Sequence, residues 1–141
     1  MFNLNAIPGL GRRVVVVAVF LVVCNSRARA AVDFVRDVQP IFKKHCYSCH
    51  GAEKQKSGLR LDVKAAALHG GTEYAPNIIP GKSKESTLIK YVLGQMEESL
   101  MPPKDDKLTP TEIGLLRQWI DEGAVWPDGV DKAPPVEKRD R

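Results

Sequence analysis

Long apolar runs, cysteines and aromatic side chains are all scarce in this chain of 141 residues. No uninterrupted apolar run reaches the roughly 18 residues that a membrane-spanning helix needs. Three cysteines are too few for a small fold held together by a disulfide framework. The length leaves room for one domain, which excludes a multidomain enzyme.

Residues 1–30 have the composition of an export signal. They contain four arginines and no acid, and a basic pair precedes the apolar run Val14–Cys24. Ala28-Arg29-Ala30 follows as a small-x-small cleavage site. We therefore predict a signal peptide over 1–30, cleaved after Ala30, and a periplasmic or otherwise exported protein. A retained leader is the alternative, and only in that case would the chain be attached to a membrane.

Removal of the leader changes the charge of the chain. The formal charge of +4 belongs to the four arginines of the leader, and the remaining 111 residues hold 17 basic and 17 acidic side chains. Because these charges are interleaved and form no basic stripe, we expect no nucleic-acid partner. Seven aromatic residues remain after cleavage. A core with so few aromatics commonly needs a disulfide, a metal or a cofactor.

Apolar residues at helical spacing predict an all-α domain over 31–127, with about four helices and no alternating strand pattern. The first helix is expected over 33–44, where Pro40 marks either its start or a bend. A short Ala-rich helix is expected over 63–68, before two glycines. The tail 128–141 is charged and rich in proline, and we expect it to be disordered.

Two further helices complete the predicted domain. Ser83 is the expected N-cap of a helix over 84–95. The last helix has the clearest start signal, a capping box with proline at its first position, formed by Thr109, Pro110 and Glu112. We expect this helix to stop at Gly123.

The segment Cys46–His50, with the sequence CYSCH, carries the main chemical signal. Two thiols three positions apart, followed at once by a histidine, match the pattern of covalent c-type haem attachment. In this interpretation Cys46 and Cys49 form thioethers with the porphyrin, and His50 becomes the proximal ligand of the iron. Gly51 is expected to leave room for the backbone beside the ring. Export agrees with this hypothesis, because such attachment requires reduced thiols outside the cytoplasm.

Three other interpretations of this segment were weighed. A structural zinc site needs four ligands, but the sequence has no second cysteine pair, and adjacent Cys49 and His50 are awkward ligands for one tetrahedron. A thioredoxin-like pair would follow a strand in a βαβ unit, and no such pattern surrounds these cysteines. A plain disulfide is compatible with export but leaves His50 unexplained.

The sixth iron ligand decides between electron transfer and ligand chemistry. Its candidates in the exported chain are Met96, Met101, His45 and His69. Met101 is the first choice, because the following prolines favour an extended, rigid loop that can hold a thioether. His69 is the main rival, and bis-histidine ligation would lower the reduction potential. We expect His45 to face solvent, and Met96 to pack in the fold or to be exposed.

Arg60 lies between the haem-attachment segment and the next predicted helix. A guanidinium suits bidentate pairing with a carboxylate, so Arg60 is a candidate partner of a haem propionate. The equal alternative is a solvated surface arginine. Leu116 and Trp119 of the last helix either pack on the ring or, as we prefer, form ordinary core contacts.

The chain carries an ordered set of motifs: VQPIFKKHCYSCHG, KSGLRLD, PGKSKESTLI, MPP and LTPTEIGLLRQWIDEGA. Together they resemble the planctomycete-type cytochrome c domain, over about 32–126. The resemblance implies a cytochrome c fold, in which the first and last helices cross, around one covalent haem c with its iron. It also implies thioethers at Cys46 and Cys49 and axial ligation by His50 and Met101.

These observations predict an exported single-haem cytochrome that carries one electron between transient redox partner proteins and is not an enzyme. A haem-based sensor or peroxidase-like enzyme, in which Met101 is displaced from the iron, is the main alternative. A third hypothesis is an interaction module that carries a disulfide and no haem.

Overall fold

The computed structural model describes residues 30–96 and 100–131. Over these ranges the chain is helical and forms no strand, which confirms the predicted all-α class. The α-helices are α1 (Gln39–His45), α2 (Tyr47–His50), α3 (Lys64–His69), α4 (Thr87–Val92) and α5 (Pro110–Asp121). Within the described part, no helix combines the length and the apolar character needed to cross a bilayer. The predicted signal peptide lies outside the described residues except for Ala30.

The predicted first helix consists of two parts. A π-helical segment, Phe34–Val38, continues directly into α1. Asp33 begins it, because its carboxylate accepts a hydrogen bond from the Arg36 N–H at 2.8 Å. Pro40 stands in the first turn of α1, where its fixed φ fits the helix. The expected irregularity near Pro40 is therefore a change of helix type just before it.

Helix α5 starts as predicted. The Thr109 hydroxyl accepts from the Glu112 N–H at 3.2 Å, and the Glu112 carboxylate accepts from the Thr109 N–H at 2.8 Å. These reciprocal hydrogen bonds form the capping box. Gly123 follows the helix with φ of 106°, a conformation in which a side chain would be strained.

An aromatic cluster joins the first and last helical elements. Phe34 stacks on Trp126 with ring centroids 3.9 Å apart, and Trp119 lies 5.6 Å from Phe34 and 6.2 Å from Phe42. The indole N–H of Trp119 donates to the Val125 carbonyl at 2.9 Å, so this buried polar group is satisfied. Trp119 therefore makes the core contacts that we preferred, and the expected packing of the first and last helices is confirmed.

Helix α4 is shorter than predicted. It begins at Thr87 instead of residue 84, and Ser83 is not its N-cap. Ser83 is buried, and its N–H and hydroxyl donate to the two carboxylate oxygens of Asp121 at 2.8 and 2.9 Å. At the other end, Gly94 adopts φ of 68° and the helix stops at Val92 instead of residue 95.

The chain contacts the rest of the fold beyond residue 127, where the domain was expected to end. Lys64 at the start of α3 donates its backbone N–H to Asp131 at 3.0 Å and its ammonium to the Trp126 carbonyl at 2.9 Å. Val130 packs against the core. These contacts hold the chain against the domain as far as Asp131. The rest of the expected tail, 132–141, lies outside the described residues.

Candidate functional site

A cavity of about 330 Å³ lies between α2, the loop that follows it, α4 and the loop that contains Met101. Its volume falls at the lower end of the range for small-molecule and cofactor sites. Apolar side chains form much of its wall, among them Leu59, Leu61, Leu88 and Val92. The cavity is also lined by Cys46, Cys49, His50 and Met101. The structure therefore brings four of the five predicted site residues to one place.

Helix α2 explains how three of these residues share a surface. The Cys46 carbonyl accepts hydrogen bonds from the Cys49 N–H at 3.1 Å and from the His50 N–H at 2.8 Å. Residues three and four positions apart lie on one face of a helical turn, so both thiols and the imidazole project from the same side. This helix was not expected from the sequence, although the spacing of the three residues matches the period of an α-helix.

Gly51 lies close to the backbone of α2. A Cβ atom at this position would stand 2.5 Å from the carbonyl oxygen of Tyr47. Glycine is therefore required because the chain folds back closely over α2. The expected role of Gly51 beside a bound ring stays a prediction.

Cys46 and Cys49 are free thiols. Burial raises the pKa of Cys46 to about 12, and the negative charge of Asp106 acts in the same direction. Cys46 is therefore a thiol at neutral pH, unlike the thiolates that bind zinc or act in redox exchange. Among the described residues, no three or more His, Cys, Asp or Glu side chains are grouped to hold a metal ion, so the zinc alternative finds no ligand set.

The His50 imidazole is half-buried, and its Nδ1 atom is buried without a hydrogen-bond partner. Burial is the main cause of a lowered pKa at His50, and the nearby backbone of Leu59 and Lys56 opposes this shift only in part. A lowered pKa favours the neutral imidazole, which is the form that binds metals.

The side chains around the cavity fit a haem c. Two thiols are available for thioether bonds, and a neutral imidazole and a thioether sulfur are available as axial ligands. The apolar wall suits a porphyrin. On these grounds Cys46 and Cys49 could hold the ring, while His50 and Met101 could bind its iron.

The four candidates for the sixth ligand lie in different environments. Met101 lines the cavity, whereas Met96 and His69 do not, and His69 is exposed. His45 also lines the cavity, but its ring nitrogens lie 2.8 Å from an Asp106 oxygen and 3.2 Å from a Glu112 oxygen.

The expected solvent exposure of His45 is wrong. Its side chain is only 2% exposed, because Asp106 and Glu112 enclose it from parts of the chain more than 60 residues away. No local pattern in the sequence around His45 could have indicated these partners.

Arg60 is the predicted site residue that the structure does not bring to the cavity. It is buried, and its guanidinium pairs with both carboxylate oxygens of Asp62 at 2.9 and 2.6 Å. The alternative of a solvated surface arginine is therefore wrong, and pairing with a propionate stays a prediction. Lys56 is a cation that does line the cavity, and sequence analysis did not select it.

Comparison with known proteins agrees with this geometry. Residues 46–105 match the family described as Planctomycete cytochrome C. The matched stretch begins at Cys46 and contains Cys49, His50 and Met101, whereas α5 follows it. No curated protein and no solved structure matches the chain significantly.

Proposed function

Because residues 46–105 of this chain form a planctomycete-type cytochrome c domain, we propose that the protein is an exported single-haem cytochrome that carries one electron between redox partners. The observation that carries the proposal is that Cys46, Cys49, His50 and Met101 line the same cavity. When bound there, haem c would supply reversible one-electron exchange at its iron.

Each of these residues has a defined task in this proposal. Cys46 and Cys49 would hold the ring through thioether bonds, and His50 and Met101 would bind its iron. The neutral imidazole favoured at His50 is ready to bind metal without first losing a proton. A histidine and methionine pair raises the reduction potential of such sites. The apolar side chains of the wall, which include Leu59 and Val92, limit access of water.

Electron transfer is favoured over the sensor or peroxidase-like alternative. Ligand chemistry needs an open sixth position, whereas the Met101 thioether already lies in the cavity wall. A peroxidase-like reaction also needs an acid or base beside the ligand, and a histidine imidazole is the commonest such group. His45 is an imidazole in this wall, but both its nitrogens face carboxylates and are not available to a ligand.

Export and transient partners belong to the same proposal. The basic leader and the small-x-small site at Ala28-Arg29-Ala30 support export to the periplasm or beyond. Carriers of single electrons typically bind their partners briefly and through small interfaces. The chain would be held at a membrane only if its leader were retained.

Optical spectra of the purified protein test the proposal. We expect covalent haem that survives denaturation and a low-spin, six-coordinate iron. Met101→Ala should abolish the iron–thioether absorption of the oxidised protein, and His50→Ala should abolish normal ligation. Met96→Ala is the matched control and should leave the spectrum unchanged. A protein without covalent haem contradicts the proposal, and so does a Met101→Ala spectrum identical to the original.

A further inference from the structure

The His45 side chain connects three parts of the domain around the cavity. It stands immediately before Cys46 at the end of α1, and its ring is almost fully buried. Its Nδ1 lies 2.8 Å from Oδ1 of Asp106, and its Nε2 lies 3.2 Å from Oε1 of Glu112. Asp106 closes the 3-10 turn Lys104–Asp106, which follows the Met101 loop, and Glu112 belongs to the capping box of α5.

Both ring nitrogens of His45 face a carboxylate oxygen. A neutral imidazole has one N–H donor, whereas the imidazolium has two and can donate to both carboxylates. Hydrogen bonds between ionised partners are shorter and stronger than neutral ones. The other charged group at this contact is the Lys44 ammonium, 3.4 Å from the same Glu112 oxygen.

The Met101 loop is held at two places by contacts that the structure describes. On the α4 side, the Met101 N–H donates to the Tyr91 carbonyl at 3.3 Å. At the end that leads towards α5, the carboxylate of Asp106 pairs with His45 of α1. Pro102 and Pro103 lie between them and restrict the backbone. The contact between Asp106 and His45 of α1 therefore fixes this end of the loop.

We propose that His45 is a positioning residue, whose contact with Asp106 keeps the Met101 thioether in the cavity wall. This inference rests on the proposed function, because it assumes that Met101 is the distal ligand. If the contact is lost, the loop has one restraint fewer, and Met101 is displaced more easily by an external ligand.

Titration of the oxidised holoprotein with imidazole measures this displacement. Asp106→Asn keeps the size of the side chain and removes its charge. A hydrogen bond to a charged carboxylate contributes enough that its loss should raise the affinity for imidazole about tenfold. The matched control is Asp105→Asn, because Asp105 is an exposed neighbour in the same turn. It should bind imidazole as the unmodified protein does.

A double-mutant cycle separates positioning from a general loss of stability. We expect His45→Gln to raise imidazole affinity as Asp106→Asn does. The double variant should bind imidazole no more tightly than either single variant, because all three lose the same contact. Fully additive effects overturn the proposal, and so does an Asp106→Asn affinity equal to that of Asp105→Asn. Should His45→Gln not fold, the comparison of the two aspartate variants still decides.

The same titration distinguishes failure of this inference from failure of the proposed function. If the unmodified protein lacks the iron–thioether absorption, Met101 is not the ligand, and the proposed ligation and this inference both fail. If the absorption is present and the Asp106→Asn and Asp105→Asn affinities agree, only the positioning role of His45 fails.

Discussion

Glu112 should make the stability of the folded protein depend on pH in the acidic range. Its pKa is lowered from 4.5 to about 2, chiefly by the hydrogen bond from the Thr109 N–H, and the contact with His45 adds to the shift. Its side chain is 18% exposed. At about 1.4 kcal/mol for each pH unit, this difference in pKa corresponds to about 3 kcal/mol at most. The folded state binds fewer protons here than the unfolded state, so this stabilisation is complete above pH 4.5 and is lost as pH falls towards 2.

Urea unfolding of Glu112→Gln between pH 7 and pH 2 tests this linkage. Glutamine can still close the capping box, so the substitution chiefly removes the charge. We expect a loss of about 1 to 3 kcal/mol in the free energy of unfolding at neutral pH and almost no loss at pH 2. Glu85→Gln is the matched control, because Glu85 is 60% exposed beside Lys82 and should contribute less than about 1 kcal/mol. An equal loss at both pH values would refute the reasoning.

Two further substitutions test the packing around the site, each by urea unfolding of the holoprotein. Gly51→Ala should cost about 2 kcal/mol or more, because its Cβ would meet the Tyr47 carbonyl oxygen, whereas Gly114→Ala in the open middle of α5 should stabilise by about 0.5 to 1 kcal/mol. Equal effects at both glycines would contradict the close approach of position 51 to the Tyr47 carbonyl oxygen. Phe34→Ala should cost about 3 to 5 kcal/mol, because the ring is 1% exposed within the aromatic cluster, and Val125→Ala, at a 64% exposed residue, should cost less than about 0.5 kcal/mol. A Phe34→Ala loss no larger than that of Val125→Ala would contradict the role of the cluster.

Features that depend on residues close together in the sequence could be predicted from it. The capping box of α5 needs only Thr109 and a glutamate three positions later, so the start of this helix was predicted correctly. The spacing of Cys46, Cys49 and His50 is equally local, because these residues occupy one helical turn. Short sequence separation makes such features nearly independent of the rest of the fold.

Features that depend on distant partners could not be predicted. Ser83 has the residue type of an N-cap, but Asp121, 38 residues away, takes both its donors, so α4 begins later. His45 resembles an exposed polar residue beside two lysines, yet carboxylates 61 and 67 residues away bury it. In both cases a residue type allows several hydrogen-bonding partners, and only the fold selects one.

The family match and the folded unit have different boundaries, and this difference bears on how the site is built. None of the four residues of the aromatic cluster lies within 46–105: Phe34 and Phe42 precede the matched stretch, and Trp119 and Trp126 follow it. The matched stretch therefore supplies most of the cavity wall, whereas its flanks supply the aromatic cluster of the core. His45 and Asp106 lie just outside its two ends and meet beside the cavity, which both residues line. The flanks thus reach the site through the same contact that we propose to position Met101.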